Sequence, residues 1–183
     1  QGWLSQVPLT LTQMVAELEQ IGILPGGHGQ IEEAVNDAVV GIEEMATMLE
    51  PLKEDASHDD NAWQFRFPRG IVSLEIRTLS RELAARFSRL SNLVDGLVSS
   101  LEDRMTDSDE FEKERCEYWL PIVSAMAARM GSGASLWLAY RDEDAAGEPP
   151  FARWVTFREA TNFEGVEIQL SASPISVSDT LAE

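Results

Sequence analysis

The sequence predicts an α+β protein, mainly α: a bundle of long antiparallel helices with a small C-terminal three-stranded antiparallel β-meander. Two observations carry this expectation. Through most of the first 130 residues, apolar positions recur at gaps of three and four, the period of an amphipathic helix. After the Gly-Ser-Gly at 131–133 the pattern changes to alternation, the period of a strand with one buried face. We therefore expect a helical region at 1–134 and a β-meander base at 135–183, in one structural unit.

The first two helices are marked by their ends. Thr10 is the expected N-cap of the first helix, with Gln13 in the capping-box position, and Pro8 marks a break before it. The run Pro-Gly-Gly at 25–27 ends this helix. The second helix is predicted over 30–49, where Pro51 stops it. The following residues, 53–62, are expected to form a polar loop.

The longest regular pattern, at 71–105, predicts the helix around which the chain is organised. Its buried stripe is expected to comprise Ile76, Leu79, Leu83, Phe87, Leu90, Val94, Leu97 and Leu101. Ser108 and Asp109 then begin a fourth helix, with Phe111, Trp119 and Val123 among its apolar positions. Pro121 lies inside that pattern, so we expect a kink or a break there.

The strand predictions rest on short alternating runs. Three runs, at 135–141, 152–159 and 166–172, are expected to form the antiparallel meander. Ser176 or Ser178 then begins a further helix. Before the long helix, the run WQFRFPR at 63–69 alternates aromatic with basic or polar residues. It is either a strand or an extended segment that anchors the core, and such interleaving can also stack and clamp single-stranded bases.

The charge of the chain is strongly acidic, with one basic exception. The 183 residues contain 14 Lys and Arg against 32 Asp and Glu, a net charge of −18. The stretch 66–89 instead holds six arginines against two glutamates, a local balance of +4. The six are Arg66, Arg69, Arg77, Arg81, Arg86 and Arg89. They form either a solvated face paired with acidic neighbours or a ridge that faces phosphates.

The residue types needed for most catalytic and metal sites are few. The two histidines, His28 and His58, are expected in loops, and neither has a partner arranged for nucleophilic catalysis. The one cysteine, Cys116, excludes an internal disulfide and a cysteine-ligated zinc or iron–sulfur site in these residues, and is read as a packing residue. The sequence has no GxxxxGK[ST] phosphate loop and no GxGxxG. No run of 18 apolar residues could span a membrane. We predict no catalytic, cofactor-binding or metal-binding residue here.

The C-terminal third resembles a known family. The residues that carry the resemblance are Ser135-Leu136-Trp137, Ala152-Arg153-Trp154, Thr156, Arg158-Glu159, Pro174-Ile175, Val177-Ser178 and Leu181. In this order they resemble the segment ahead of the S-A-T motif in DinG-type helicases, which are relatives of XPD. The long helices ahead of this segment match the family in layout, where they form the arch domain, an insertion in the first motor domain.

The resemblance implies a function for a longer parent chain. Such a parent would be an ATP-dependent DNA helicase that translocates 5′ to 3′ in DNA repair or replication. It would bind ATP with Mg²⁺ and a four-cysteine 4Fe–4S cluster, all outside these residues. The arch would close a pore for single-stranded DNA together with the motor and iron–sulfur domains. It transfers no catalytic residue, and the six arginines are our candidates for DNA contact. The chain begins Gln-Gly-Trp without an initiator Met, and we expect a monomeric segment of a cytoplasmic protein.

Two other classes compete with this reading. An acidic helical adaptor would use its helix stripes to bind a partner protein and would need no helicase context. A DNA-mimicking inhibitor would use the acidic surface, but the arginine-rich stretch argues against it. A stand-alone enzyme is the weakest of the readings.

Overall fold

The computed structural model describes residues 7–20, 28–59, 62–107, 109–142, 151–159 and 166–175. Its helices are α1 (Val7–Gln20), α2 (His28–Leu49), α3 (Leu74–Asp107) and α4 (Glu110–Arg141). Its strands are β1 (Ser57–Asp59), β2 (Ala62–Arg66), β3 (Phe151–Glu159) and β4 (Val166–Pro174). The predicted class, mainly α with a small antiparallel sheet, is therefore confirmed.

The chain divides into two compact units, and both are assembled from separated segments. The first comprises Gln1–Ile42 and Leu83–Ser135, and the second comprises Glu43–Glu82 and Leu136–Glu183. The predicted boundary at 134/135 lies beside the point where the chain last passes from the first unit to the second. Residues 43–82, which we assigned to the helical region, group instead with the sheet.

The first unit is a helical bundle whose neighbouring helices run antiparallel. Along α2 and α3, Gly41 lies against Leu83, whereas Glu33 lies against Arg89, so the contacts run in opposite directions. The α4 helix begins with Asp109 as its N-cap, whose Oδ1 accepts the main-chain N–H groups of Phe111 and Glu112 at 3.0 Å. The largest fully buried side chains of this core are Met14, Leu18, Ile31, Leu83, Leu90 and Met130.

The predicted stripe of α3 is confirmed, since all eight of its apolar residues are buried. Some of the helix predictions were wrong in detail. The α1 helix begins at Val7, so Thr10 lies inside it rather than at its N-cap. Pro8 falls in the first turn, where a missing N–H costs no intrahelical bond. The α4 helix continues through Pro121, so of the predicted kink or break the break is wrong, and Phe111 on this helix is exposed rather than buried.

The second unit is built on one antiparallel sheet with strand order β1-β2-β3-β4. The predicted meander is right in kind, and β3 and β4 match their predicted runs. The run 135–141, however, is the last part of α4. Ala134, Trp137 and Tyr140 are buried at a spacing of three, so the residues that looked like an alternating strand follow the helical period instead.

The other two strands of the sheet, β1 and β2, come from the middle of the chain. The run WQFRFPR contains β2, which pairs with β3 from Ala62 opposite Arg158 to Arg66 opposite Trp154. The predicted polar loop at 53–62 contains β1, with Ser57 opposite Gln64. The prediction of a helix at Ser176 or Ser178 falls outside the described residues.

The buried side of this sheet carries an unusual charged residue. Val155 and Phe157 of β3 are buried there, with Tyr140 of α4, and so is Arg153, which is only 5% exposed. The Arg153 guanidinium donates to the carbonyl oxygens of Ala139 (2.5 Å) and Gly70 (2.8 Å). It thereby joins β3 to the end of α4 and to the turn that precedes α3. One side chain thus holds three parts of the unit together: β3, the end of α4 and the turn before α3.

Candidate nucleic-acid interface

The six arginines predicted to face DNA fall into two sets, because Arg86 and Arg89 belong to the first unit and the other four to the second. Arg86 donates to the carbonyl oxygen of Asp37 at 2.9 Å. Arg89 lies 3.7 Å from a carboxylate oxygen of Glu33 and 3.9 Å from one of Asp37. Both arginines therefore bind α2, and Arg89 does so through two carboxylates, which fits the reading of a face paired with acidic neighbours.

In the second unit the four arginines differ in their surroundings. Arg81 forms an exposed ion pair of 3.8 Å with Asp142, a kind of pair that contributes little to stability. Arg77 is half-buried, and Arg69 is exposed in a left-handed turn with φ of 56°. Arg66 is exposed at the end of β2. Whether any of the six contacts DNA stays a prediction.

The register of the sheet gathers a second set of polar residues on its side away from the core. We call this set the open face. It consists of Ser57, Ala62, Gln64, Arg66, Trp154, Thr156, Arg158, Gln169 and Ser171. These side chains line a hollow of about 500 Å³. Side chains alternate between the two sides of a strand, so Trp154, Thr156 and Arg158 lie on the side of β3 opposite to Val155 and Phe157.

Three rows cross the open face from strand to strand. The first row places Arg66, Trp154 and Ser171 side by side. The third places Ala62 beside Arg158, and Arg158 beside the exposed Glu167 of β4.

The middle row consists only of hydroxyl and amide side chains: Ser57, Gln64, Thr156 and Gln169. Successive rows are about 7 Å apart, since each step is two residues. The open face thus presents the Trp154 ring beside Arg66 in its first row, hydrogen-bonding groups in its middle row, and Arg158 beside Glu167 in its third row.

The two glutamines hold the two arginines of the open face. The Gln64 Oε1 accepts from Arg66 Nε at 3.0 Å, and the Gln169 Oε1 accepts from Arg158 Nη1 at a longer 3.4 Å. Each amide therefore keeps its N–H₂ donors for another acceptor. Of the described residues that line the hollow, the two charged ones are both arginines. The lining of the hollow therefore carries two positive charges, and Glu167 lies opposite Arg158 at its edge, in a chain whose net charge is −18.

Two side chains that are often reactive in proteins, Cys116 and His58, lie outside the open face. Burial of the Cys116 thiol raises its pKa, the nearby Glu112 raises it further, and Arg104 lowers it. A raised pKa keeps the group as a thiol rather than a nucleophilic thiolate. His58 is exposed on β1 and packs edge-on against Trp63, with ring centroids 5.0 Å apart. Its predicted loop position was therefore wrong.

A metal ion or an iron–sulfur cluster would need several ligand side chains close together. Within the described ranges, no group of three or more His, Cys, Asp or Glu side chains is placed to hold a metal ion. A four-cysteine cluster does not fit a chain whose one cysteine, Cys116, is buried. No helix among the described residues is long and apolar enough to cross a membrane.

No protein-family model matches the chain. A search of curated proteins likewise found no significant match. Any functional conclusion therefore depends on the residues themselves.

The sequence analysis missed Trp154, Thr156 and Arg158 as site residues, although it used them to predict a strand. The available signal was their parity, since they alternate with Arg153, Val155 and Phe157, which face the core, although Thr156 is itself buried among its neighbours. Gln64 and Arg66 show the same alternation on β2. What the sequence did not contain was the pairing of β2 with β3, which brings the two sets together.

Proposed function

We propose that this chain is a non-catalytic segment that contacts single-stranded DNA, as the arch of a DinG-type, 5′ to 3′ ATP-dependent DNA helicase. The resemblance at 135–181 supports the family and the wider context: a cytoplasmic parent that acts in DNA repair or replication. In that parent, ATP, Mg²⁺ and the iron–sulfur cluster would be bound outside these residues.

The observation that carries the DNA part of the proposal is the composition of the open face. Arginine supplies planar donors for phosphate, and tryptophan supplies a ring on which a base can stack. Strong negative charge elsewhere would keep a DNA strand away from the rest of the surface. A contact restricted to one arginine-lined hollow fits a guiding role better than a tight, general grip.

The helicase proposal is tested on the parent gene and protein. We expect its coding sequence to contain a phosphate loop, four spaced cysteines and a DEAH-like box upstream, and an S-A-T motif shortly downstream. The purified parent should hydrolyse ATP faster with single-stranded DNA and unwind a duplex with a 5′ tail. A parent without these motifs, or one that unwinds only from a 3′ tail, would overturn the proposal.

A second candidate, an acidic helical adaptor, is favoured by one observation on α4. Phe111 and Tyr118, seven residues apart and hence on one helix face, are 55% and 60% exposed. Exposed aromatic residues of this kind commonly contribute to protein interfaces. An adaptor built on this face would bind a partner protein, whereas the arch segment should sediment as a monomer and bind DNA.

A further inference from the structure

The open face of the sheet has the parts of a discrete site for an unpaired nucleotide. We propose that one base of a single-stranded DNA segment stacks on Trp154 while neighbouring phosphates bind Arg66 and Arg158. This inference rests on the proposed function and deepens it, because it moves the DNA contact from the six arginines of 66–89 to one side of the sheet. Only Arg66 belongs to both sets.

The first step of the argument is the setting of Trp154. It lies on β3, an inner strand, with Arg66 directly opposite on one side and Ser171 on the other. Directly opposed residues in an antiparallel pair have Cβ atoms about 5 Å apart. A base stacked on the indole would therefore have a guanidinium beside it, within reach of its own phosphate.

The second step is the distance between the two cations. Arg66 and Ala62 are four residues apart on β2, and Arg158 lies opposite Ala62. At about 3.4 Å per residue and about 4.8 Å between strands, the two Cα atoms are roughly 14 Å apart. Two positive groups at that separation, on one side of a shallow hollow, fit two different phosphates of an extended strand rather than a single phosphate ion.

The third step is the row between the cations. Gln64, Thr156 and Gln169 lie there, and both glutamines already use Oε1 to hold an arginine. Their amide N–H₂ groups are oriented by those bonds and can donate to the carbonyl oxygens of a base. A duplex hides those base edges and its base faces, so the open face should select an unpaired strand.

Fluorescence anisotropy of a labelled, short oligothymidylate at low salt tests the proposal with the whole 183-residue chain. Trp154→Leu keeps an apolar side chain but removes the ring, and should weaken binding about tenfold. Trp154→Phe keeps a ring and should retain most of the affinity. Arg158→Ala should also lower the slope of log affinity against log salt by about 0.7.

The matched control is Arg104→Ala, which removes one exposed positive charge from α3, outside the open face. It should leave both the affinity and the salt slope unchanged. Circular dichroism of each variant excludes loss of fold, and the exposed Arg158→Ala variant keeps the test decisive if Trp154→Leu does not fold. A duplex of the same length should bind more weakly than the single strand.

The outcomes separate this inference from the proposed function. If the chain binds the oligonucleotide but the Trp154 and Arg158 variants bind equally well, the site is wrong and the helicase proposal stands on its own test. Equal binding of duplex, or tighter binding of oligouridylate, would overturn the assignment to single-stranded DNA. Failure of the unaltered chain to bind any strand at low salt would overturn the site, whatever the parent protein does.

Discussion

Replacing Arg153 with methionine is expected to destabilise the second unit strongly. The guanidinium is almost fully buried, and its shortest hydrogen bonds go to the carbonyl oxygens of Ala139 and Gly70. A longer contact of 3.5 Å reaches the carbonyl of Asp142. Methionine would keep much of the apolar contact of the side chain but would supply no donor to these carbonyl groups.

The magnitude follows from the two short bonds. Hydrogen bonds to a charged group are worth about 1.5–3 kcal/mol each, so their loss costs about 3–6 kcal/mol. Part of this is returned, because methionine carries no charge that must be removed from water on folding. We therefore expect the free energy of unfolding to fall by about 3 kcal/mol. In urea, with an m-value of about 2 kcal/mol/M, the midpoint would fall by about 1.5 M.

Urea unfolding followed by circular dichroism measures this loss, and Arg158→Met is its matched control. Arg158 lies on the same strand with the opposite parity, and it is exposed. The same chemical change there should alter the unfolding free energy by about 0.5 kcal/mol or less. Equal effects of the two substitutions, or a loss below about 1 kcal/mol for Arg153→Met, would refute the argument from buried hydrogen bonds.

Two further predictions concern a turn and a buried phenol. Gly70→Ala should lower the free energy of unfolding by about 2 kcal/mol or more, because Gly70 has φ of +70° and an added Cβ would overlap the carbonyl oxygen of Phe151. Gly96 lies in mid-helix with nothing within 4 Å of an added Cβ, so Gly96→Ala should raise the free energy of unfolding by about 1 kcal/mol. Thermal melts in which both glycine variants shift in the same direction would contradict this pair of expectations. Burial raises the pKa of Tyr140 above its ordinary value of about 10, so above that pH the unfolded chain binds fewer protons than the folded one. Unfolding free energy should then fall by up to about 1.4 kcal/mol per pH unit above pH 10, and Tyr140→Phe should lack this contribution when melts are repeated across that range.

Much of the fold followed from local patterns. The predicted helices at 30–49 and 71–105 correspond to His28–Leu49 and Leu74–Asp107. The predicted strands at 152–159 and 166–172 correspond to Phe151–Glu159 and Val166–Pro174. In each case a long or strictly alternating apolar pattern has one interpretation. The run 135–141 has two interpretations, because a short apolar-rich run is compatible with both the helical and the strand period. Only its packing shows that it is helical.

The candidate site could be predicted only in part, because its members are distant in sequence. Parity within β2 and within β3 is visible in the sequence, and it separates Arg66 from Phe65 and Trp154 from Val155. The pairing of Arg66 with Trp154 is not visible, because 87 intervening residues leave many strand partners open. The same limit applies to Arg86, whose acceptor on Asp37 lies 49 residues earlier.

The alternation along β3 also restricts how this part of the chain can change in length. Its odd-numbered residues, such as Arg153, face the core, and its even-numbered residues, such as Trp154, face the hollow. Deletion of one residue before position 153 within the strand would exchange the two sides, placing the arginine outside and the indole against Tyr140. Tolerated insertions and deletions within this strand should therefore occur in pairs, whereas substitutions on its outer side can vary one at a time.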